Sequence, residues 1–143
     1  MQISSRFTIA SHILTLLALQ GEQSKQTSNS IAGSVGVNPV IIRNILGQLK
    51  QAGLVHIARG VGGATLAKDV REVTLLDIYR AVDSLGQSGQ LFGFHEQPNP
   101  SCPVGKNIHH LLDDELERAQ SALEKELAQT KLSDLLEKMD SLS

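Results

Sequence analysis

Apolar residues recur at three- and four-residue spacing through most of this chain and give way to strand-like composition only over a short central stretch. Ile9, Ile13, Leu16, Leu17 and Leu19 form a stripe that predicts a first helix over 5–19, with Gly21 just past its end where a left-handed residue is expected. The polar run Glu22–Thr27 reads as a loop. Thr27 or Ser28 caps a short second helix whose buried side is Ile31, Ala32 and Val35, and Gly36 breaks it. Asn38 then caps a third helix with Pro39 in its first position, where a missing N–H costs nothing. Ile42, Ile45, Leu46 and Leu49 fall on one face of that helix, and Gly53 ends it.

Leu54–Ala58 is compatible with a strand, Arg59–Gly63 with a flexible tip, and Ala64–Leu66 with a returning strand. Thr74 caps a further helix with Leu75, Leu76, Ile78, Tyr79 and Val82 as its apolar residues. Residues 84–101 are rich in Gly, Gln and Pro, with Leu91, Phe92 and Phe94 as anchors. A long helix is expected from Val104 to Ala128, because Ile108, Leu112, Leu116, Ala119, Leu123 and Leu127 recur at steps of 4, 4, 3, 4 and 4. At about 1.5 Å per residue this helix is roughly 36 Å long. A last helix, Leu132 to Met139, packs either across a dimer or onto the first helix.

A short helix, a glycine turn, a capped longer helix and a hairpin in succession make a winged helix-turn-helix. The fold class predicted is mainly α with a small β-hairpin wing, extended by a long C-terminal dimerisation helix. The organisation read from the sequence is a DNA-binding domain over 1–83, a connecting loop over 84–103, and a dimerisation helix with a C-terminal helix over 104–143. The domain is too small to cover the long apolar seam of Ile108, Leu112, Leu116, Ala119, Leu123 and Leu127, so a second copy of the chain is expected to cover it.

Composition narrows the function classes. Aromatics are 3% of residues and Trp is absent, which argues against a base-stacking platform for single strands. The apolar run Ile13–Leu19 lacks a basic start and a cleavage site, and no run reaches the roughly 18 residues of a membrane span. The expectation is a cytoplasmic protein without a membrane partner. Residues 1–70 carry six cations against two acids, a formal +4, whereas 71–143 carry seven against thirteen, a formal −6. The glycine-rich tip is not read as a phosphate loop, since no helix and no Lys-Ser/Thr pair follow it. No nucleophile–base–acid set or paired-carboxylate motif stands out, so no enzyme is expected and no catalytic residue is named.

The chemistry of the third helix fits double-stranded DNA. Opposite its core face lie Val40, Arg43, Asn44, Gly47 and Gln51. Arg pairs with guanine O6 and N7, Asn with adenine N6 and N7, and an apolar side chain contacts the thymine methyl. The base-reading candidates are Asn38, Val40, Arg43 and Asn44, with Pro39 beside them. Ser5, Arg6, Ser28 and Lys50 are candidates for positioning contacts to phosphate, as are Ser4 and Thr27, and Arg59 and Gly60 are candidates on the wing. A monomer with so few cations binds weakly, whereas a two-fold dimer doubles the contacts and calls for a palindromic operator. The alternative is a winged-helix protein-interaction module without DNA binding, favoured if Arg43 and Arg59 are buried in ion pairs.

Several segments resemble, in order, those of the Rrf-type family of bacterial transcription regulators, which includes IscR, NsrR and CymR. They are Ser4-Ser5-Arg6, Val37-Asn38-Pro39-Val40 leading to Ile42-Arg43, Leu49–Val55, the wing Arg59–Gly63 running on to Asp69, Thr74–Val82, and His95–Gly105. The likeness is greatest to the YwnA-like, cluster-free branch. The resemblance implies a homodimer, a crossed long helix and operator binding, here assigned to a repressor. Some members hold an iron–sulfur cluster through three cysteines. This chain has one, Cys102, so neither that cluster nor any other cofactor is expected.

The reading leaves room for a redox or small-molecule effector. Cys102, at the start of the long helix, is a candidate thiol sensor because the positive end of a helix favours a thiolate, and a small structural residue at a helix start is the plainer alternative. His95, His109 and His110 match no metal-site spacing, and no metal is assigned.

Overall fold

The computed structural model describes residues 5–21, 26–59, 63–82, 91–92 and 97–142. The described elements are helices α1 (Arg6–Gln20), α2 (Ser28–Val35) and α3 (Pro39–Gln51), strands β1 (Val55–Ile57) and β2 (Ala64–Leu66), a 3-10 turn over Val70–Glu72, and helices α4 (Leu75–Ala81), α5 (Pro103–Gln129) and α6 (Leu132–Leu142). The architecture is a winged helix-turn-helix head followed by a long helix, the fold class that the apolar pattern predicts.

Helix α1 is the centre of the head. It packs against α2, α3, α4, α6 and β2, and its buried residues Ala10, Ile13, Leu14 and Leu17 follow i, i+3, i+4, i+7 along one face, with the partly buried Ile9, Leu16 and Ala18 packed beside them. Leu19, expected in that stripe, is half exposed instead, because it lies in the last turn beyond the packed neighbours. In the first turn of α1, Phe7 meets the buried Tyr79 of α4 edge to face, with ring centroids 6.3 Å apart.

Local signals set the limits of the helices. Thr27 Oγ1 accepts from the Ser30 N–H at 3.1 Å and opens α2. Gly36, at φ +82°, closes it. Asn38 Oδ1 accepts from the Val40 N–H at 2.8 Å and opens α3. At the far end the Gly53 N–H donates to the Lys50 carbonyl and the Leu54 N–H to the Leu49 carbonyl. This is a Schellman motif with Gly53 left-handed, and it turns Leu54 into the core. Thr74 and Asp77 form a reciprocal capping box at the start of α4.

The four apolar residues of α3 form the floor of the core. Ile42, Ile45 and Leu49 are fully buried and Leu46 nearly so, each contributing about 1.5–3 kcal/mol relative to exposure. Strands β1 and β2 pair antiparallel, with Val55 opposite Leu66, His56 opposite Thr65 and Ile57 opposite Ala64. Gln26 adds to the outer side of β2, its carbonyl accepting from the Ala64 N–H at 2.8 Å. That contact explains Gly63, which has φ +75° and whose Cβ position lies 2.8 Å from the Gln26 carbonyl oxygen.

Helix α5 has 27 residues and is about 40 Å long. None of its residues is buried. Its C-terminal end is tied to the head, where the Leu75 N–H donates to the Thr130 carbonyl and the Leu132 N–H to the Val73 carbonyl. The chain then turns back, and α6 packs on α1 and the 3-10 turn, with Leu132 fully buried in the same apolar cluster as Ile13 and Ile78. The last helix therefore packs onto the first, one of the two placements the sequence left open. Its apolar face finds a home only when α5 reverses at Thr130.

Candidate nucleic-acid interface

The outer surface of α3 carries the base-reading candidates. Val40, Arg43 and Asn44 are all exposed, as is Lys50 in the last turn. Asn38 is exposed too, but its Oδ1 is committed to the Val40 N–H as the helix cap. Pro39 is half-buried in the first helical position. The cap and the proline hold the first turn of α3 in place, so the direction of Val40 and Arg43 is set by backbone geometry.

Beside α3 stands the start of α1. Ser5 is exposed and its carbonyl accepts from the Ile9 N–H at 2.9 Å. Arg6 is half-buried and donates to Gln48 Oε1 of α3. Its guanidinium therefore ties α1 to α3. Gln48 was not singled out by the pattern, because the contact spans 42 residues of chain. Ser28 is half-buried in the first position of α2, next to the exposed Thr27.

On the wing, Arg59 is exposed where the described part of the hairpin ends. The Ala58 N–H donates to the Gly63 carbonyl at 2.9 Å and closes the base of that hairpin. Gly60, Ser4 and His95 lie outside the described residues. Among the described residues, Arg43, Lys50 and Arg59 form no ion pair. The nearest acid in sequence after the wing, Asp69, is held ionised by its hydrogen bonds from Arg71, with a pKa of about 2. The face that presents α3 and the hairpin is thus supplied with unpaired cations and with amide and apolar groups between them.

The second candidate surface is α5. Of the seam residues, Ile108, Leu116, Leu123 and Leu127 are half-buried and Ala119 is exposed. Leu112 is 37% exposed and the neighbouring Leu111, which the heptad pattern did not select, is 57% exposed. Toward the head, α5 rests on α4, with Arg80 Nη2 placed 3.5 Å from Glu124 Oε1 and the Leu91 N–H donating to Gln120 Oε1.

Cys102 is the N-cap of α5 and is exposed. Its side chain makes no capping hydrogen bond, yet the first-turn amides of Gly105 and Val104 lower its pKa, against a small opposing effect of burial. A tight turn holds it there. The Cys102 N–H donates to the Asn99 carbonyl at 3.2 Å and the Ser101 N–H to Asn99 Oδ1 at 2.9 Å. Gly105 allows the close approach of that turn, since its Cβ position lies 2.6 Å from the Asn99 carbonyl oxygen. His109 Nδ1 lies 3.2 Å from Asp113 Oδ1 on the exposed side of the helix.

This arrangement has clear relatives. The chain is 43% identical over 134 residues to YwnA of Bacillus subtilis (strain 168), named as an HTH-type transcriptional regulator, covering 94% of this chain and 96% of that protein. A crystal structure described as a DNA binding protein is 40% identical, with a TM-score of 0.72 over 92% of this chain and 99% of that one. The IscR structure of T. potens, at 22% identity, shares the fold with a TM-score of 0.70 over 100% of this chain and 91% of that one.

Residues 3–138 match the Rrf2 family, described as "Iron-dependent Transcriptional regulator". The donors present here do not fit a cysteine-held iron centre. Cys102 is the single thiol of the chain, and no group of three or more His, Cys, Asp or Glu suited to a metal ion occurs among the described residues. The fold, the match along nearly the whole chain and the identity to YwnA together make this chain a member of the Rrf2 family of transcriptional regulators.

Proposed function

We propose that this chain is a sequence-specific double-stranded DNA-binding transcription regulator, acting as a homodimer and as a repressor on a palindromic operator. The observation that carries the reading is the outer face of α3, where exposed Arg43 and Asn44 stand in the first turns of a capped helix, flanked by Lys50 and by Arg59 on the hairpin. Arg43 and Asn44 supply the bidentate chemistry for guanine and adenine. Lys50, Ser5, Ser28 and the wing supply contacts that set register on the phosphates.

The homodimer follows from the same physical economy. An exposed apolar edge on a helix of 27 residues is stabilised by a second copy. Two heads on one dimer double the number of cations that meet the duplex, which a chain of formal charge −2 needs for useful affinity. The division of labour proposed is DNA contact by residues 1–83 and pairing through α5, with the segment before α5 as the place where an effector is sensed. Cys102 is the thiol available there for a redox effector.

The interaction-module reading is favoured by Arg43 and Arg59 buried in ion pairs, and both are exposed. Binding of the purified protein to its own upstream DNA, against a scrambled duplex and across a salt series, tests the proposal. Preferential binding that weakens with salt, and that Arg43→Ala reduces by about 1–3 kcal/mol, is expected. Equal or absent binding to both duplexes by a folded dimer would turn the assignment toward a protein partner.

A further inference from the structure

Two adjacent branched aliphatic side chains, Val40 and Ile41, are 52% and 40% exposed in the first turn of α3. Apolar residues scattered singly on a surface are ordinary. These two stand together, in the turn that a recognition helix presents to base edges. At about 100° per residue, the order across the outer face is Arg43, Val40, Asn44, Ile41, so polar and apolar groups alternate. Ile42, the next residue, is fully buried, which leaves Ile41 on the flank of the face and Val40 near its middle.

The pair is held firmly. Asn38 binds both residues, its Oδ1 accepting from the Val40 N–H at 2.8 Å and its carbonyl from the Ile41 N–H at 3.0 Å. Branching at Cβ leaves each side chain one strongly preferred χ1 in a helix, so little freedom is lost on contact. Farther along the helix, Gly47 has nothing within 4 Å of where a Cβ would stand. The outer face is therefore open at Gly47, where the helix backbone is able to approach a groove closely.

We propose that Val40 and Ile41 form a methyl-reading pair, and that each half-site presents two thymine C5-methyl groups beside the bases addressed by Arg43 and Asn44. The inference rests on the DNA-binding reading above. The thymine methyl is the apolar group among the base edges of the major groove. The other edges there carry hydrogen-bonding groups, and an aliphatic side chain pressed on them strips their water without replacing it. An alternating face such as this one therefore favours thymine at its apolar positions and purines at its polar ones.

The test uses the full-length protein and a duplex enriched from a random-sequence pool. That duplex is resynthesised with deoxyuridine in place of thymidine, one position at a time, which removes the methyl and keeps every hydrogen-bonding group. Two positions in each half-site are expected at which the change weakens binding, by about fourfold for each methyl lost. Val40→Ala should abolish the penalty at one position and Ile41→Ala at the other. Both side chains are exposed, so the melting temperature should hold, and Val40→Thr, similar in shape but half polar, should show a reduced penalty at the Val40 position. Uniform affinity for all the uracil duplexes, with sequence-specific binding intact, would overturn the methyl-reading pair and leave the regulator standing. Failure to enrich any duplex from the pool would overturn both.

Discussion

Leu49 of α3 is fully buried, whereas Leu112 of α5, an equally regular member of an apolar stripe, is 37% exposed. The head closes an aliphatic core with five elements around α1, and α2, α3 and α4 are short and each opened by a side-chain cap. Helix α5 has more than twice the length of most of them and buries none of its residues. The same periodicity thus has two meanings. In the head it is satisfied within the chain, and in the long helix part of it stays exposed. A stripe on a short helix between turns reads as core, and a stripe on a helix longer than its domain is the candidate for an interface.

That difference is open to a direct test, and the largest effect belongs to the head. Leu49→Ala should destabilise the chain by about 2–5 kcal/mol in urea titration, because its cavity lies in packed surroundings. A loss below about 1 kcal/mol would mean that the floor of the core is looser than its burial implies. Next comes α5. Leu112→Glu should leave the melting of the head nearly unchanged while raising the dimer dissociation constant tenfold or more, about 1.4 kcal/mol, in sedimentation across a concentration series. An unchanged dimer would place the pairing surface elsewhere than on the exposed edge of α5.

The smallest effect lies at the junction of the two regions. The amides of Gly105 and Val104 lower the Cys102 pKa. The thiolate is therefore populated at lower pH in the folded chain than in the unfolded one, and the alkylation rate of Cys102 should reach its midpoint at lower pH before urea unfolding than after it. Coincident midpoints would remove the influence of the α5 start on this thiol, and with it the physical basis for sensing there.

Much of the α3 surface was legible in the chain. Asn38, Pro39 and Gly53 act through bonds within a few residues, so their roles as cap, first residue and terminator follow from local chemistry. Ile42, Ile45, Leu46 and Leu49 follow from the helical period. The same period places Ile42 rather than Ile41 in that row, since Ile41 has Asn44 and Gln48 at i+3 and i+7. The structure buries Ile42 and leaves Ile41 at the surface. Arg6 is a different case. The helical period says nothing of its hydrogen bond to Gln48, because that contact spans 42 residues of chain.

What the sequence determined by itself is the set of elements, their caps and the faces they must bury, because these depend on backbone sterics and on spacing along one helix or strand. The tertiary structure decided which of those faces meet. It brought Gln26 against Gly63 and returned α6 to the cluster around Ile13. Such pairings depend on long-range packing, where one element's burial is another's exposure, and no local spacing encodes that choice.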